Sequence, residues 1–508
     1  MKPGNQVVSR NFAVLSAGQL GSRLLAFAIT IHIAQVLLPE LFGAVVFASG
    51  VLLYAGLLVD FGFEAFGPIE VSRGTSDPAK LVGNVLTFRS LLILPAFAVL
   101  ALFSYFVPLP QMSKVMIDLY GLSLLATALD TGWFFLGGKN MWPAVVSEMI
   151  TQSTLAIGAY GFIHGGSDAL LMPIFFLTGR LIAVSFLLAL FVRQHGVPKF
   201  GIEMPYFKQL LSGAIPLCGS QISAMISNNF DLILIGVWLG TGGAGLYGAA
   251  TRVVWVPTTI AIAYYTALRP LVAHSFVHGF HTVEAMFKRS VRVTTALAFG
   301  IGAGGLMLAV PLMTQIFGDK YSTASPSFIV LLLAFCLMLI SRNYRLILVT
   351  FNHQVTDLRI MAAAAGVNIA LNLLLIKQFG ITGAAFATLA SESLILLLDY
   401  TCTRRLIDHV PLGRYIPKPL FCCLVMAAIL QTTAGIGSVY ARVAIGGIAY
   451  GVLLLLTRII TVDEIKALLD TWKPEAKAPV QPAKQPVLQT SSLDPVPQTV
   501  NVTATGNE

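Results

Sequence analysis

Fourteen apolar stretches, each long enough to cross a bilayer, follow one another from Phe12 to about Ile460 with short loops between them. A helix rises about 1.5 Å per residue, so roughly 20 apolar residues span the hydrocarbon core. Inside lipid only helices and closed barrels satisfy their own backbone polar groups, and runs this long and continuous exceed any barrel strand. The expected fold is therefore an all-α polytopic membrane protein. Its spans are expected at 12–38, 42–66, 81–107, 116–137, 142–163, 169–192, 210–238, 244–268, 291–317, 326–350, 358–377, 382–402, 418–437 and 441–460. Only 11% of the 508 residues are charged, against about 25% in soluble domains, which excludes a soluble reading.

Loops this short allow the positive-inside comparison. One alternate set holds Lys2, Arg10, Arg73, Lys80, Lys139, Arg193, Lys199, Lys208, Arg269, Lys288, Arg289, Arg292, Arg359, Arg404, Arg405, Arg414 and Lys418, and the other only Lys114, Lys320, Lys377 and Arg442. Both termini are thus expected in the cytoplasm. The same bias explains the net charge of +9. No basic cluster is large enough to follow a phosphate backbone, so nucleic acid is not an expected partner. The first apolar run is longer than a signal-peptide core and reads as an uncleaved helix. The five cysteines (Cys218, Cys336, Cys402, Cys422, Cys423) lie in or beside spans without metal or redox spacing and read as small core residues.

A cytoplasmic loop after the sixth span divides the chain into two six-span halves. Ser16-Ala17-Gly18 leading to Leu41-Phe42-Gly43-Ala44 is echoed by Ser212-Gly213-Ala214 leading to Leu246-Tyr247-Gly248-Ala249. An even number of spans per half would relate the halves about an axis along the membrane normal. The expected division is residues 1–200 as an N-terminal lobe, 201–405 as a C-terminal lobe, 406–472 as two accessory spans and 473–508 as a Pro-rich disordered cytoplasmic tail.

Ionisable groups within spans cost several kcal/mol and need a partner, a wet cavity or a task. Arg23 and Arg180 fall near mid-membrane with no evident acidic partner at their depth. Arg89, Asp130 and Glu148 lie in the cytoplasmic third of spans three to five, Arg342 and Arg345 in that of span ten, and Glu392 in the middle of span twelve. Asp231 and Arg252 sit at matched depth in spans seven and eight, which suits either a mutual ion pair or contact with a substrate. Together these residues suggest a mostly basic, water-filled cavity for an anionic substrate. His274, His278 and His281 are spaced for one helical face. They would suit a metal only with further ligands, and read better as an interfacial helix end. No phosphate-binding GxxxxGK[ST] loop is present, so neither ATP hydrolysis nor a bound cofactor is expected.

Several stretches resemble the polysaccharide flippase (Wzx-type) branch of the multidrug/oligosaccharidyl-lipid/polysaccharide exporter superfamily. These are Ala34 to Gly43 at the first hairpin, Asp60-Phe61-Gly62-Phe63 with Glu70-Val71-Ser72-Arg73, and Gly245 to Ala250. Phe317 to Tyr321, Asn368 to Asn372, Phe379 to Ala385 and Ala387-Thr388 through Glu392 complete the set. The first hairpin departs from the family in having Leu-Leu-Pro where Leu-Gly-Pro is usual. The resemblance implies two six-helix lobes around a central cavity, two accessory helices, and alternating access. It also implies a substrate of undecaprenyl-pyrophosphate-linked oligosaccharide in the bacterial cytoplasmic membrane. Spans one, two, seven and eight would line the cavity, placing Arg23, Asp231 and Arg252 on its wall, and Arg180 joins them as a candidate substrate contact. Implied partners are membrane lipids, a coupling ion (H+ or Na+), and polysaccharide polymerase and chain-length machinery.

The alternatives are a cation-coupled multidrug exporter of the same superfamily, for which an acidic cavity would be expected, and a membrane-embedded polymerase or ligase. An enzyme of the latter kind would need a substantial outer loop or a cluster of catalytic side chains, so the chain is not expected to be an enzyme.

Overall fold

The computed structural model describes residues 3–461 apart from 75, 139, 278–279, 352, 405, 407–411 and 436. The expected tail (473–508) lies outside the described residues, as does His278. Among the described residues the chain is α-helical with three short 3-10 turns and no strand. The helices are α1 (Pro3–Val36), α2 (Pro39–Asp60), α3 (Phe63–Arg73), α4 (Pro78–Phe106), α5 (Gln111–Gly121), α6 (Leu124–Ala128), α7 (Gly132–Gly137), α8 (Trp142–Phe162) and α9 (Leu171–His195). The second half continues with α10 (Met204–Trp238), α11 (Gly240–Val277), α12 (Phe280–Phe317), α13 (Ser325–Thr350), α14 (Gln354–Phe379), α15 (Ile381–Thr403), α16 (Pro417–Thr432) and α17 (Val439–Leu456).

Ten helical segments are long and apolar enough to cross a membrane, and an eleventh is obtained if α10, bent by 52° at residues 226–229, is one span. The remaining three of the fourteen expected spans fall on α1, α8 and the α5–α7 stretch. Arg10 and Arg23 interrupt the apolar run of α1, and Glu148, Gln152 and four threonine or serine residues dilute α8. The fourth expected span is broken into three short helices, because turns at Leu122–Ser123 and Leu129–Thr131 interrupt its backbone ladder. The expected loop after span eight is instead helix: α11 runs to Val277 and α12 starts at Phe280. His274 and His281 consequently belong to different helices rather than to one continuous face.

Two devices shape the junction between the halves. At the end carrying the α1–α2 and α10–α11 turns, α2 crosses α11 at backbone contact. A methyl group on Gly43 would lie 1.7 Å from the Thr241 carbonyl oxygen, and one on Gly245 would lie 2.2 Å from that of Pro39. Without a hydrophobic drive between helices in lipid, such close approach supplies the attraction. Gln35 of α1 donates to the Ile316 carbonyl of α12 at 2.7 Å at the same end. At the opposite end the halves meet again, with Phe66 of α3 seated over Gly213 of α10 and Gly62 against the Ala214–Cys218 backbone.

The segment joining the halves is held rather than loose. Lys199 N donates to the Ala79 carbonyl at 2.9 Å, Gly201 N to Thr87 Oγ1 at 3.0 Å and Glu203 N to Asn84 Oδ1 at 3.1 Å, so the segment lies along the start of α4. Asp77 and Lys199 close it with an exposed ion pair at 2.8 Å, whose attraction lowers the pKa of Asp77 and raises that of Lys199.

In the C-terminal half a buried polar chain ties three helices together. Tyr264 of α11 meets Ser290 of α12 at 2.8 Å, Ser290 donates to Asn343 of α13 at 2.5 Å, and Asn343 donates to Thr294 of α12 at 2.8 Å. Helices α16 and α17 pack on the outside of α12, where Tyr450 Oη donates to the Ala296 carbonyl at 2.7 Å. All five cysteines are free thiols, four of them buried.

Candidate functional site

The α2–α3 break builds the most highly charged region. Phe61 and Gly62 take left-handed conformations (φ 52° and 84°), which Gly62 adopts without strain. The turned chain aims the Gly62 and Glu64 amides back at Asp60, whose carboxylate accepts from both at 3.0 Å. Asp60 therefore caps α3 and is also paired with Arg89 of α4. Arg89 is only 2% exposed, donates its other terminal nitrogen to the Asp130 carbonyl at 2.9 Å, and faces the Trp133 ring at 6.0 Å. The Asp130 side chain accepts from Gly132 N at 2.7 Å and reaches Arg180 of α9 at 3.2 Å. Glu64 is exposed and lies within electrostatic reach of Asp60, Asp130, Arg89 and Arg180. Three carboxyls and two guanidiniums thus share one end of the N-terminal half.

Arg180 therefore has an acidic partner, contrary to the expectation from depth. Both side chains of the pair remain about one-fifth exposed (22% and 23%). The matched-depth pairing of Asp231 with Arg252 does not occur either. Asp231 accepts from Tyr247 Oη of α11 and from Leu232 N at 2.8 Å, while Arg252 lies 5.0 Å over the Trp255 ring. A tyrosine hydroxyl carries no charge, so matching opposite charges along the chain does not point to it, although Tyr247 sits in the echoed Leu-Tyr-Gly-Ala motif.

Arg23 is exposed and donates to Thr259 Oγ1 of α11 at 3.3 Å. That bond joins α1 to α11 across the junction of the halves. Neither Arg23 nor Arg252 meets a carboxylate among the described residues. Two uncompensated guanidiniums, one on each side of the junction, give it an anion-attracting character. Arg345 and Glu148 are held by Asp357 and Gln152 respectively. No group of three or more metal-ligating side chains occurs among the described residues. Glu64 and Asp399 are ionisable positions that the sequence did not single out, and Asp60 entered there only as part of a motif, not as an ionisable group within a span. For Asp60 the available signal was an aspartate directly before Phe-Gly-Phe, the pattern of a capped helix restart.

A bundle of long apolar helices, whose two halves meet through glycine-mediated crossings with unpaired arginines between them, has the form of a membrane transporter. Residues 8–276 match the family model described as "Polysaccharide biosynthesis protein". The chain belongs to this family of multi-pass polysaccharide transporters. It is 23% identical over 521 aligned residues to the Stage V sporulation protein B of Bacillus subtilis (strain 168), covering 91% of this chain and 98% of that protein. It is 24% identical over 329 residues to the Succinoglycan biosynthesis transport protein ExoT of Rhizobium meliloti (strain 1021), covering 63% of this chain and 65% of that one. Its fold is similar to that of the Lipid II flippase MurJ in an inward closed conformation, with a TM-score of 0.70 at 15% identity over 87% of this chain and 98% of that chain.

Proposed function

We propose that the chain moves undecaprenyl-pyrophosphate-linked oligosaccharide repeat units from the cytoplasmic to the periplasmic leaflet, by alternating access of two lobes (1–200 and 201–405). The observation that carries this reading is the pair of carboxylate-free arginines, Arg23 and Arg252, on helices that belong to different halves. The family match and the names of its relatives, one a succinoglycan transport protein, support a glycan cargo.

A bilayer opposes pyrophosphate and sugars because their desolvation is costly. Arg23 and Arg252 would replace water around the pyrophosphate while the polyprenyl tail stays in lipid. Arg180, already paired with Asp130 but partly exposed, would join them by exchanging its partner for a phosphate oxygen. Asp231, tied to Tyr247, would contact the sugars rather than the phosphates. The cation-coupled multidrug reading fits less well, since a cationic drug would meet unpaired arginines.

Translocation of a lipid-linked oligosaccharide in reconstituted vesicles tests the proposal. A charge-assisted hydrogen bond contributes about 1.5–3 kcal/mol. Arg23→Ala and Arg252→Ala should therefore each lower transport by about tenfold or more at matched abundance. Arg23→Lys should retain part of the activity, keeping charge but losing the two-pronged geometry. Normal transport by both alanine variants would remove the basic-site mechanism.

Orientation is tested separately. With both termini cytoplasmic, single cysteines introduced at Gly242 and Ser322 into an otherwise cysteine-free protein should react with an impermeant reagent from outside, and one at Lys199 should not. The reverse labelling pattern would overturn the orientation.

A further inference from the structure

Asp399, on α15 four residues before its end, is 0% exposed, and neither of its carboxyl oxygens has a hydrogen-bond partner. A carboxylate in that position has lost its water and gained nothing in return, so it is far more costly than a neutral carboxyl group. Among the described residues no cation hydrogen-bonds to it. From α13, Arg345 is already engaged by Asp357 of α14, with Nε 2.7 Å from Oδ1 and Nη2 donating to Oδ2 at 3.1 Å. Asp357 and, from α15 itself, Glu392 add negative charge near Asp399, and Glu392 draws on the fields of Arg342 and Arg345. Next to Asp399 in the chain, Tyr400 meets the ring of Tyr344 of α13 at 5.6 Å; the buried Tyr344 hydroxyl is also unpartnered, and Tyr415 lies within reach of Tyr344. Helices α10 and α11 also touch α15, and among the described residues neither brings a charged group within electrostatic reach of Asp399. Three carboxyls thus share two guanidiniums in the interior of α13, α14 and α15.

We propose that Asp399 is a proton-binding site, occupied in this conformation and emptied when Arg345 exchanges Asp357 for Asp399. The excess carboxyl is neutralised by a proton while Arg345 holds Asp357. If the start of α14 moves relative to α13, the freed guanidinium turns to Asp399. The O–H bond then breaks, the proton passes to water at that end of the bundle, and a carboxylate–guanidinium pair replaces it. The proton-binding step stands on the burial and partnering of Asp399 alone. Its coupling to transport rests on the flippase reading above, and makes the proton the coupling ion.

Infrared difference spectroscopy on the purified full-length protein reads the protonation directly, because a protonated carboxyl has a carbonyl stretch that a carboxylate lacks. The spectrum of the wild type minus Asp399→Asn at neutral pH should contain that band, and the band should shift in deuterium oxide. Asparagine matches a neutral carboxyl in size, so the variant should keep the wild-type melting temperature. Absence of the band would overturn the proposal. So would its replacement by a melting temperature that rises with sodium chloride but not choline chloride in the wild type and not in Asp399→Asn, which would make the ligand a metal cation. The coupling arm compares vesicles with and without an imposed pH gradient, using a lipid-linked oligosaccharide as cargo. A gradient should change the transport rate of the wild type and leave Asp399→Asn indifferent. Wild-type transport insensitive to the gradient would refute coupling alone, whereas no transport at all with the infrared band intact would refute the flippase reading alone.

Discussion

Arg89→Ala should remove most of the protein from the membrane fraction, with a much smaller effect from a joint replacement of both partners. Arg89 is one of the largest fully buried side chains, and its guanidinium holds together Asp60 of α2, the Asp130 carbonyl between α6 and α7, and the Trp133 ring. Removing one member of such a pair leaves a charge in the interior without compensation, which costs about 3–5 kcal/mol. That loss is a large share of the stability of an ordinary domain. Asp60 also caps α3, so the joint variant should keep the cap: Asp60→Asn with Arg89→Met leaves an oxygen for the Gly62 and Glu64 amides and no unpaired charge. Membrane abundance and the melting temperature in detergent measure both. Arg89→Ala at wild-type abundance and melting temperature would show that the pair is dispensable.

Gly43→Val should separate α2 from α11 and abolish the crossing at that end of the bundle. The added carbon would overlap the Thr241 carbonyl oxygen, which is fixed helix backbone and cannot swing aside as a flexible side chain would. Overpacking commonly costs about 1–3 kcal/mol where side chains can shift, and a backbone obstacle belongs at the upper end. If the two halves must close at this end during transport, translocation should fall by about tenfold or more, even in molecules that fold. Gly56→Ala on the same helix is the matched comparison, since nothing lies within 4 Å of the position its methyl would occupy. It should be neutral or slightly stabilising, as alanine favours helix over glycine. Equal behaviour of Gly43→Val and Gly56→Ala would mean that the α2–α11 crossing has no part in folding or transport.

The two echoed hairpin motifs gain a physical meaning from this crossing. Read along the chain, Leu41-Phe42-Gly43-Ala44 and Leu246-Tyr247-Gly248-Ala249 are only similar strings. In the fold they lie on α2 and α11, which pack on each other, and Gly248 fits beside Val46 as Gly43 fits beside Thr241. A small residue leaves no mark in a hydropathy profile, because what it contributes is an absence of side chain at one contact. The partner of that contact lies some two hundred residues away.

The span pattern was legible for a related reason. Hydropathy averages over a window, so the apolar runs of α1, α8 and the α5–α7 stretch read as expected spans, although they are not among the segments long and apolar enough by themselves. It does not register the turns at Leu122–Ser123 and Leu129–Thr131 that break the last of these. Glycine and capping side chains, not mean apolarity, decide where a helix stops. The Asp60-Phe61-Gly62 restart is the clearest instance, since the second expected span runs straight through it.

By itself the sequence determined that this protein is a helical membrane protein, because lipid forbids unsatisfied backbone and leaves an apolar chain no other solution. It also ordered the charged residues along their helices, because a helix advances by a fixed rise and position along the chain becomes position along the axis. Only the tertiary structure decided which of those residues meet. Asp231 and Arg252, expected at one depth, turn to Tyr247 and Trp255, while Arg180 finds Asp130 and Arg89 finds Asp60. Pairing needs a common face as well as a common depth, and the facing of each helix is set by the ridges, glycines and capped turns of its neighbours.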